Sequence, residues 1–153
     1  MRDIIFKNQN DTNIMNIFEC TDIKSIESTY GVTRQLYDID IETYLSHIEE
    51  MRSSDYSLFS MVNDEGKCIA VVGYRIGRRL YCGKYLHIDN LIVSEDCRSK
   101  GIAKKLVDFC KNSAKENNCD VILADSYVEN RVAHRLFLQE KFHIRGFHFK
   151  FDL

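Results

Sequence analysis

Two groups of residues in this chain have types and spacings that do chemistry. His87 and Asp89 stand two apart within Tyr85-Leu86-His87-Ile88-Asp89-Asn90-Leu91-Ile92-Val93. In an extended strand, positions two apart point to the same face. An unperturbed histidine titrates near ~6.5, which suits a base at neutral pH. Asp89 would orient that ring or hold an ammonium group. The second group is Arg98-Ser99-Lys100-Gly101-Ile102-Ala103-Lys104. A glycine turn that opens a helix presents N–H groups with no internal partner, and the helix dipole favours an anion there. Gly101 lets the backbone approach a phosphate closely, while Arg98, Lys100 and Lys104 add charge. This pattern predicts a pyrophosphate site. The plain alternatives are a histidine satisfied within its sheet and an ordinary βα connection.

The elements that must position these groups follow from periodicity. Tyr85–Val93 is a β-branched-rich strand, and Ile102, Leu106, Phe109, Cys110 and Ala114 mark an amphipathic helix ending near Asn117-Asn118. Upstream, Tyr56–Val62 and Lys67–Ile76 form two strands joined by a hairpin loop at Asn63-Asp64-Glu65-Gly66. The second is apolar on both faces and should be central. Gly77-Arg78-Arg79 and Gly83-Lys84 read as turns. Asp40 begins a helix with Ile41, Tyr44, Leu45, Ile48 and Met51 in one stripe, leaving His47 and Glu49-Glu50 to solvent. Near the start, Ile4-Ile5-Phe6 reads as a strand. Asp11 or Thr12 would cap a helix carrying Ile14, Ile17 and Phe18. Ile23, Ile26 and Tyr30 form another helix that Gly31 interrupts. Downstream come a short buried strand at 121–124 and a helix begun near Glu129-Asn130 with Val132, Ala133, Leu136 and Phe137. An aromatic-rich strand from Phe142 to Phe151 follows. The predicted order is β-αα-βββ-α-β-α-β, antiparallel hairpins followed by a βαβ unit.

Composition narrows the class. The 153 residues are 44% hydrophobic and 29% charged, with a net charge of −2, and suit one domain spanning 1–153 with a sizeable core. The near-neutral balance argues against nucleic-acid binding through a basic surface. Six cysteines show no Cys-x-x-Cys pair and no zinc spacing, and most sit in apolar patterns. Arg2, Asp3 and Lys7 interrupt the N-terminus, and no long apolar run exists. The expectation is a reduced, cytoplasmic protein with no metal, no nucleic acid and no membrane.

Arg98-x-x-Gly101-x-Ala103 resembles the pyrophosphate loop of the GNAT N-acetyltransferase superfamily, Arg/Gln-x-x-Gly-x-Gly/Ala. The predicted element order is also that of the GNAT fold, so the resemblance covers nearly the whole chain. Arg34-Gln35-Leu36, Val71-Val72-Gly73-Tyr74-Arg75-Ile76, Leu123-Ala124-Asp125-Ser126, Ala133-His134-Arg135 with Leu136-Phe137, and Phe147-His148-Phe149 look like one small bacterial branch.

The resemblance implies a mixed α/β (α+β) fold, the GNAT acyl-CoA N-acyltransferase fold: a central, mixed, largely antiparallel sheet flanked by helices. It also implies acetyl-CoA as co-substrate. Leu91, Ile92 and Val93 match the strand segment that pairs with the pantetheine arm, in a gap where two strands splay apart. Residues 98–104 match the pyrophosphate loop, and Asn130 matches the polar residue that opens the next helix and faces the arm. An acyl thioester needs an N–H donor near its carbonyl, and the Ile92 or Val93 amide is expected to supply it. His87 and Asp89 fall where relatives place the base. Phe137 stands where most relatives carry the tyrosine that protonates the departing thiolate. A thiolate, from a thiol near ~8.5, can leave unassisted, or Tyr127 or Ser126 can substitute.

The implied activity is direct transfer of an acetyl group to a primary amine, on a small molecule or a protein. Asp125-Ser126 and Asp89-Asn90 favour a cationic acceptor such as an amino acid, a polyamine or a lysine side chain. The competing function is a non-catalytic acyl-CoA-binding or sensing module, motivated by Phe137 and by Ser94-Glu95 in place of the commoner Asp-Pro. His134 reads as a packing residue, and His148 as facing the acceptor or capping the sheet. Homodimerisation is common among such relatives.

Overall fold

The computed structural model describes residues 3, 4 and 16–153. Its strands are β1 (Asp3–Ile4), β2 (Asn16–Glu19), β3 (Tyr56–Val62), β4 (Cys68–Arg79), β5 (Gly83–Val93) and β6 (Val121–Ala124). The helices are α1 (Ile23–Thr33), α2 (Ile41–Arg52), α3 (Ile102–Glu116) and α4 (Arg131–Gln139), with a 3-10 turn at Glu95–Cys97. The six strands lie in sequence order. Every neighbouring pair is antiparallel except β5 and β6, which run parallel. That one parallel pair needs a crossover, and α3 supplies it. The sheet is therefore mixed and largely antiparallel, as the resemblance implies.

Helices cover both faces. Ile102, Leu106, Phe109 and Cys110 of α3 pack on Phe59, Met61, Val72, Tyr74, Leu86 and Ile88. On the opposite face Ile26 and Val32 of α1, with Tyr44 and Ile48 of α2, pack on Tyr56, Leu58, Val71 and Ile92. Both of these latter helices start on aspartate caps. Asp22 and Ser25 form a reciprocal capping box, and Asp40 accepts the Thr43 N–H at 2.8 Å.

Several sequence expectations are corrected. Ile17 and Phe18 lie in β2, paired with β1 and β3, not in a helix. Strand pairing on both sides outweighs a three-residue helical spacing. Ile5, Phe6, Asp11, Thr12 and Ile14 lie outside the described residues. Gly31 does not interrupt α1, because Thr29, Val32 and Thr33 on either side of it are buried. Gly77 is strand, not turn: a Cβ there would fall on the Tyr85 ring, so glycine makes room within the sheet. The expected strand from Phe142 to Phe151 does not form. Phe147, Phe149 and Phe151 alternate as a strand would, yet all three are exposed. Alternation prepares a segment for pairing but does not provide the neighbouring edge.

Candidate active site

β5 is the spine of the site. Its register with β4 pairs Gly73 with Asn90 and then Tyr74 with Ile88, leaving Asp89 as an extra, bulged residue. The bulge resets the alternation. Before it, Leu86 and Ile88 join the α3-side core. After it, Leu91 and Val93 pack on that side, while Ile92 joins the α1/α2-side core. Asp89 and Asn90 are consecutive, yet both serve the face that carries His87.

β6 pairs with β5 only from Tyr85 to Ile88. Beyond Ile88 the two strands part, and among the described residues that edge of β5 has no strand neighbour. On its other edge, the Ser94 N–H donates to the Ile69 carbonyl at 2.9 Å. Donors alternate sides along an antiparallel ladder. The Ile92 N–H therefore turns toward β4, while those of Leu91 and Val93 turn toward the gap. The Val93 carbonyl lies on the same outward side, where it accepts from Arg98 Nε at 3.3 Å. Of these two amides, that of Val93 faces the gap and that of Ile92 faces β4.

The glycine turn follows directly. Ser99 and Gly101 both adopt left-handed conformations, φ 63° and 73°. Gly101 is the N-cap of α3, where no side chain caps the helix, and a Cβ there would meet nothing within 4 Å. The first helical bond runs from the Lys105 N–H to the Gly101 carbonyl. The N–H groups of Ile102, Ala103 and Lys104 thus precede the ladder. Arg98 lies 3.6 Å from Glu95, and the Lys100 ammonium donates to the Asp96 carbonyl at 3.3 Å. Lys104 is directed elsewhere. It contacts Asp108 at 2.7 Å and Glu140 at 3.5 Å, and Lys111 joins Glu140 at 2.6 Å. The bond to Asp108 holds the Lys104 ammonium above its usual range. Lys104 ties α3 to the end of α4.

On the other side of β5, charged groups form a chain. Arg75 Nε donates to Asp89 at 2.6 Å. Asp89 lies 3.6 Å from His87 Nδ1, and His87 Nε2 lies 3.2 Å from Asp125. Asp125 in turn is 3.4 Å from His148. His87 and Asp89 are 13% and 16% exposed, whereas Asp125 is 57% exposed. The chain therefore runs from the sheet interior to solvent. Arg75 is the cross-strand partner of His87. The strand register was the only signal that could have given it a role.

Residues 19–143 match the Acetyltransferase (GNAT) family. The chain belongs to that family. An uncharacterized N-acetyltransferase of Bacillus subtilis, YhdJ, is 29% identical over 101 residues, 65% of this chain and 70% of that protein. A glucosamine 6-phosphate N-acetyltransferase of Arabidopsis thaliana is 31% identical over 96 residues, 60% of this chain and 64% of that protein. The fold also matches a crystal structure of an aminoglycoside N-acetyltransferase in complex with CoA, with TM-score 0.79 and 17% identity. That match covers 94% of this chain and 97% of the other.

Within this GNAT chain the remaining candidates lie on α4 and just before it. Asn130 caps α4, its side-chain oxygen accepting the Ala133 N–H at 3.0 Å. Phe137 packs on the α3-side core and lies 5.2 Å from the Phe142 ring. Tyr127 is 71% exposed, and its carbonyl contacts His134 Nε2 at 2.9 Å. Burial chiefly pushes the Tyr37 phenol up, with Tyr127 and Asp89 adding to it.

A tyrosine–asparagine cluster that sequence reasoning missed adjoins the acids. Asn90 accepts from Tyr37 Oη and donates to Tyr56 Oη, each at 2.8 Å. Gly73 makes this possible, since a Cβ there would fall on the Tyr56 hydroxyl. Burial raises the Tyr56 phenol. The cysteines are free, and burial pushes the Cys68 and Cys110 thiols up to about 12. Among the described residues no His, Cys, Asp or Glu cluster could hold a metal, and no helix is long and apolar enough to cross a membrane.

Proposed function

We propose that this chain transfers the acetyl group of acetyl-CoA directly to a cationic primary amine. The observation that carries the reading is the free edge of β5 beyond Ile88, flanked by the glycine turn and by the His87–Asp89 pair. A pantetheine arm needs an edge with outward amide groups, and Leu91 and Val93 supply one. Pyrophosphate needs donors with room around them. The N–H groups of 102–104 and the open side of Gly101 fit that need. Arg98, Ser99 and Lys100 line the turn, and Lys104 contributes its backbone.

The incoming ammonium would be drawn to Asp125 and Asp89. His87 would take its proton, with the Asp89 carboxylate 3.6 Å from Nδ1 and Arg75 fixing Asp89. The Val93 N–H would stabilise the charge that gathers on the thioester carbonyl oxygen as the amine adds. Tyr127, exposed beside the acids, is the hydroxyl available to protonate the departing thiolate.

The second reading is an acyl-CoA-binding module without turnover, favoured by Phe137, whose ring has no proton to give. Titration calorimetry with acetyl-CoA and desulfo-CoA, followed by thiol release with an amine panel, separates the two. Saturable binding weakened by Arg98→Ala and Lys100→Ala, together with amine-dependent release, supports the transferase. Binding without release supports the module. Absence of binding overturns both.

A further inference from the structure

A cavity of about 290 Å³ lies between α1, α2 and the sheet, close to the small end of the ~300–1,000 Å³ expected of ligand pockets. Leu58 and Val71 form its floor, Tyr44 and Ile48 a wall, and Tyr37 and Met51 part of its rim. The floor and wall residues are buried, whereas Tyr37 and Met51 are half-buried and His47 beside them is exposed. The cavity thus opens toward solvent on the side of Tyr37, His47 and Met51.

Its buried polar groups already have partners, and the exposed His47 stands at the edge. Tyr37 donates to Asn90, Asn90 donates to Tyr56, and Tyr44 Oη and Thr29 Oγ1 share a bond of 2.6 Å. No buried side-chain nitrogen or oxygen among the described residues lacks a partner. A polyhydroxylated guest would have to compete with these bonds to satisfy its hydroxyls against a mostly apolar lining, a costly exchange. An apolar guest would leave this network intact and bury carbon on carbon. The β5 bulge sets the cavity beside the acids, because it places Asn90, a lining residue, on the same face as Asp89.

We infer that this is the acceptor pocket, and that it selects a primary amine carrying an apolar alkyl or aryl body rather than a sugar amine. The body occupies the cavity, and the ammonium emerges at Asp89, Asp125 and His87. Tyr37 and Asn90 form the side of the pocket next to the acids and fix where the amine leaves it. This assignment rests on the acetyl-transfer reading for the identity of the amine as acceptor. The cavity's preference for apolar groups is testable apart from turnover.

The test is calorimetry on the CoA-saturated protein with n-propylamine, n-butylamine, n-pentylamine and 2-phenylethylamine, against ethanolamine and glucosamine 6-phosphate. The dissociation constant should fall about fourfold per added methylene, with 2-phenylethylamine among the tightest and both polar amines weak. Met51→Trp, which fills the rim, should flatten the series while acetyl-CoA affinity stays unchanged. A flat wild-type series, or tighter binding of glucosamine 6-phosphate than of pentylamine, overturns the inference. So does the absence of amine binding altogether. Thiol release measured on the same amines separates the two readings. Graded binding without release keeps the pocket and removes the transferase, whereas release without gradation keeps the transferase and removes the pocket.

Discussion

The two sides of β5 recognise by different means. On the glycine-turn side, the groups on offer are largely backbone: outward amides at Leu91 and Val93, and the unladdered N–H groups at the start of α3. On the other side they are side chains in fixed contacts: Arg75, Asp89, His87 and Asp125 in one chain, and Tyr37, Asn90 and Tyr56 in another. Backbone recognition needs only the right conformation at a few positions, so it tolerates changes in residue type. Side-chain recognition depends on each partner. Substitutions on the two sides should therefore fail differently, one in donor affinity and the other in turnover.

The largest effect is expected at His87. His87→Ala removes the proposed base and should lower turnover by about 10²–10⁴-fold, leaving acetyl-CoA affinity unchanged by calorimetry. Asp89→Asn should cost less, because the ring remains while Arg75 loses its ionic partner. If His87→Ala retained full turnover with saturating amine, the base would have to be sought elsewhere and the asymmetry of the two sides would disappear.

Gly101→Val probes the opposite side. Its φ of 73° is a conformation that costs an ordinary residue roughly 1–2 kcal/mol. The added side chain would also stand in the open space where the phosphates are proposed to sit. The dissociation constant for acetyl-CoA should rise about tenfold or more, while kcat at saturating acetyl-CoA changes little. Unchanged affinity would show that the turn is an ordinary βα connection.

How much was legible in the sequence follows the same division. The glycine turn, the strand that precedes it and the amphipathic α3 are local patterns, and local patterns survive in one dimension. His87 and Asp89 share a face because they lie two apart on one strand. What stayed hidden depends on pairing. The bulge at Asp89 depends on where Gly73 lies on the neighbouring strand, and the directions of the Ile92 and Val93 amides depend on the bond from Ser94 to Ile69. Arg75 meets Asp89 across β4, and Tyr37 reaches Asn90 from 53 residues away. The tail from Phe142 to Phe151 misled for the opposite reason, carrying a strand's alternation where no strand forms.

A smaller effect, on stability, is expected at Gly73. Gly73→Ala forces a methyl onto the Tyr56 hydroxyl, and overpacking of this kind typically costs about 1–3 kcal/mol. For a chain of this size each kcal/mol corresponds to a fall in Tm of about 2–4 °C. Tyr56→Phe removes the nearest colliding atom while ring carbons stay within 3 Å, and it leaves the Asn90 amide without its acceptor. The double variant should therefore be less destabilised than the sum of the two singles. Strict additivity in thermal melts would show that Gly73 and Tyr56 are not coupled, and that Asn90 is held by Tyr37 alone.

The smallest effect is expected at Phe137. Its ring packs among apolar groups of the α3-side core and against Phe142. A hydroxyl added by Phe137→Tyr would help only if it reached the leaving sulfur, and it would otherwise lie among carbons at some cost in stability. If the thiolate leaves unassisted, or takes its proton from Tyr127, turnover should change by no more than about threefold, a difference of under 1 kcal/mol in the barrier. Tyr127→Phe in the same background then separates those two routes. A clear loss assigns the proton to Tyr127, and no loss leaves departure unassisted. A rise of tenfold or more in Phe137→Tyr would instead show that the missing hydroxyl limits the rate. Phenylalanine at this position would then be what holds the chain closer to an acyl-CoA-binding module than to a fast enzyme.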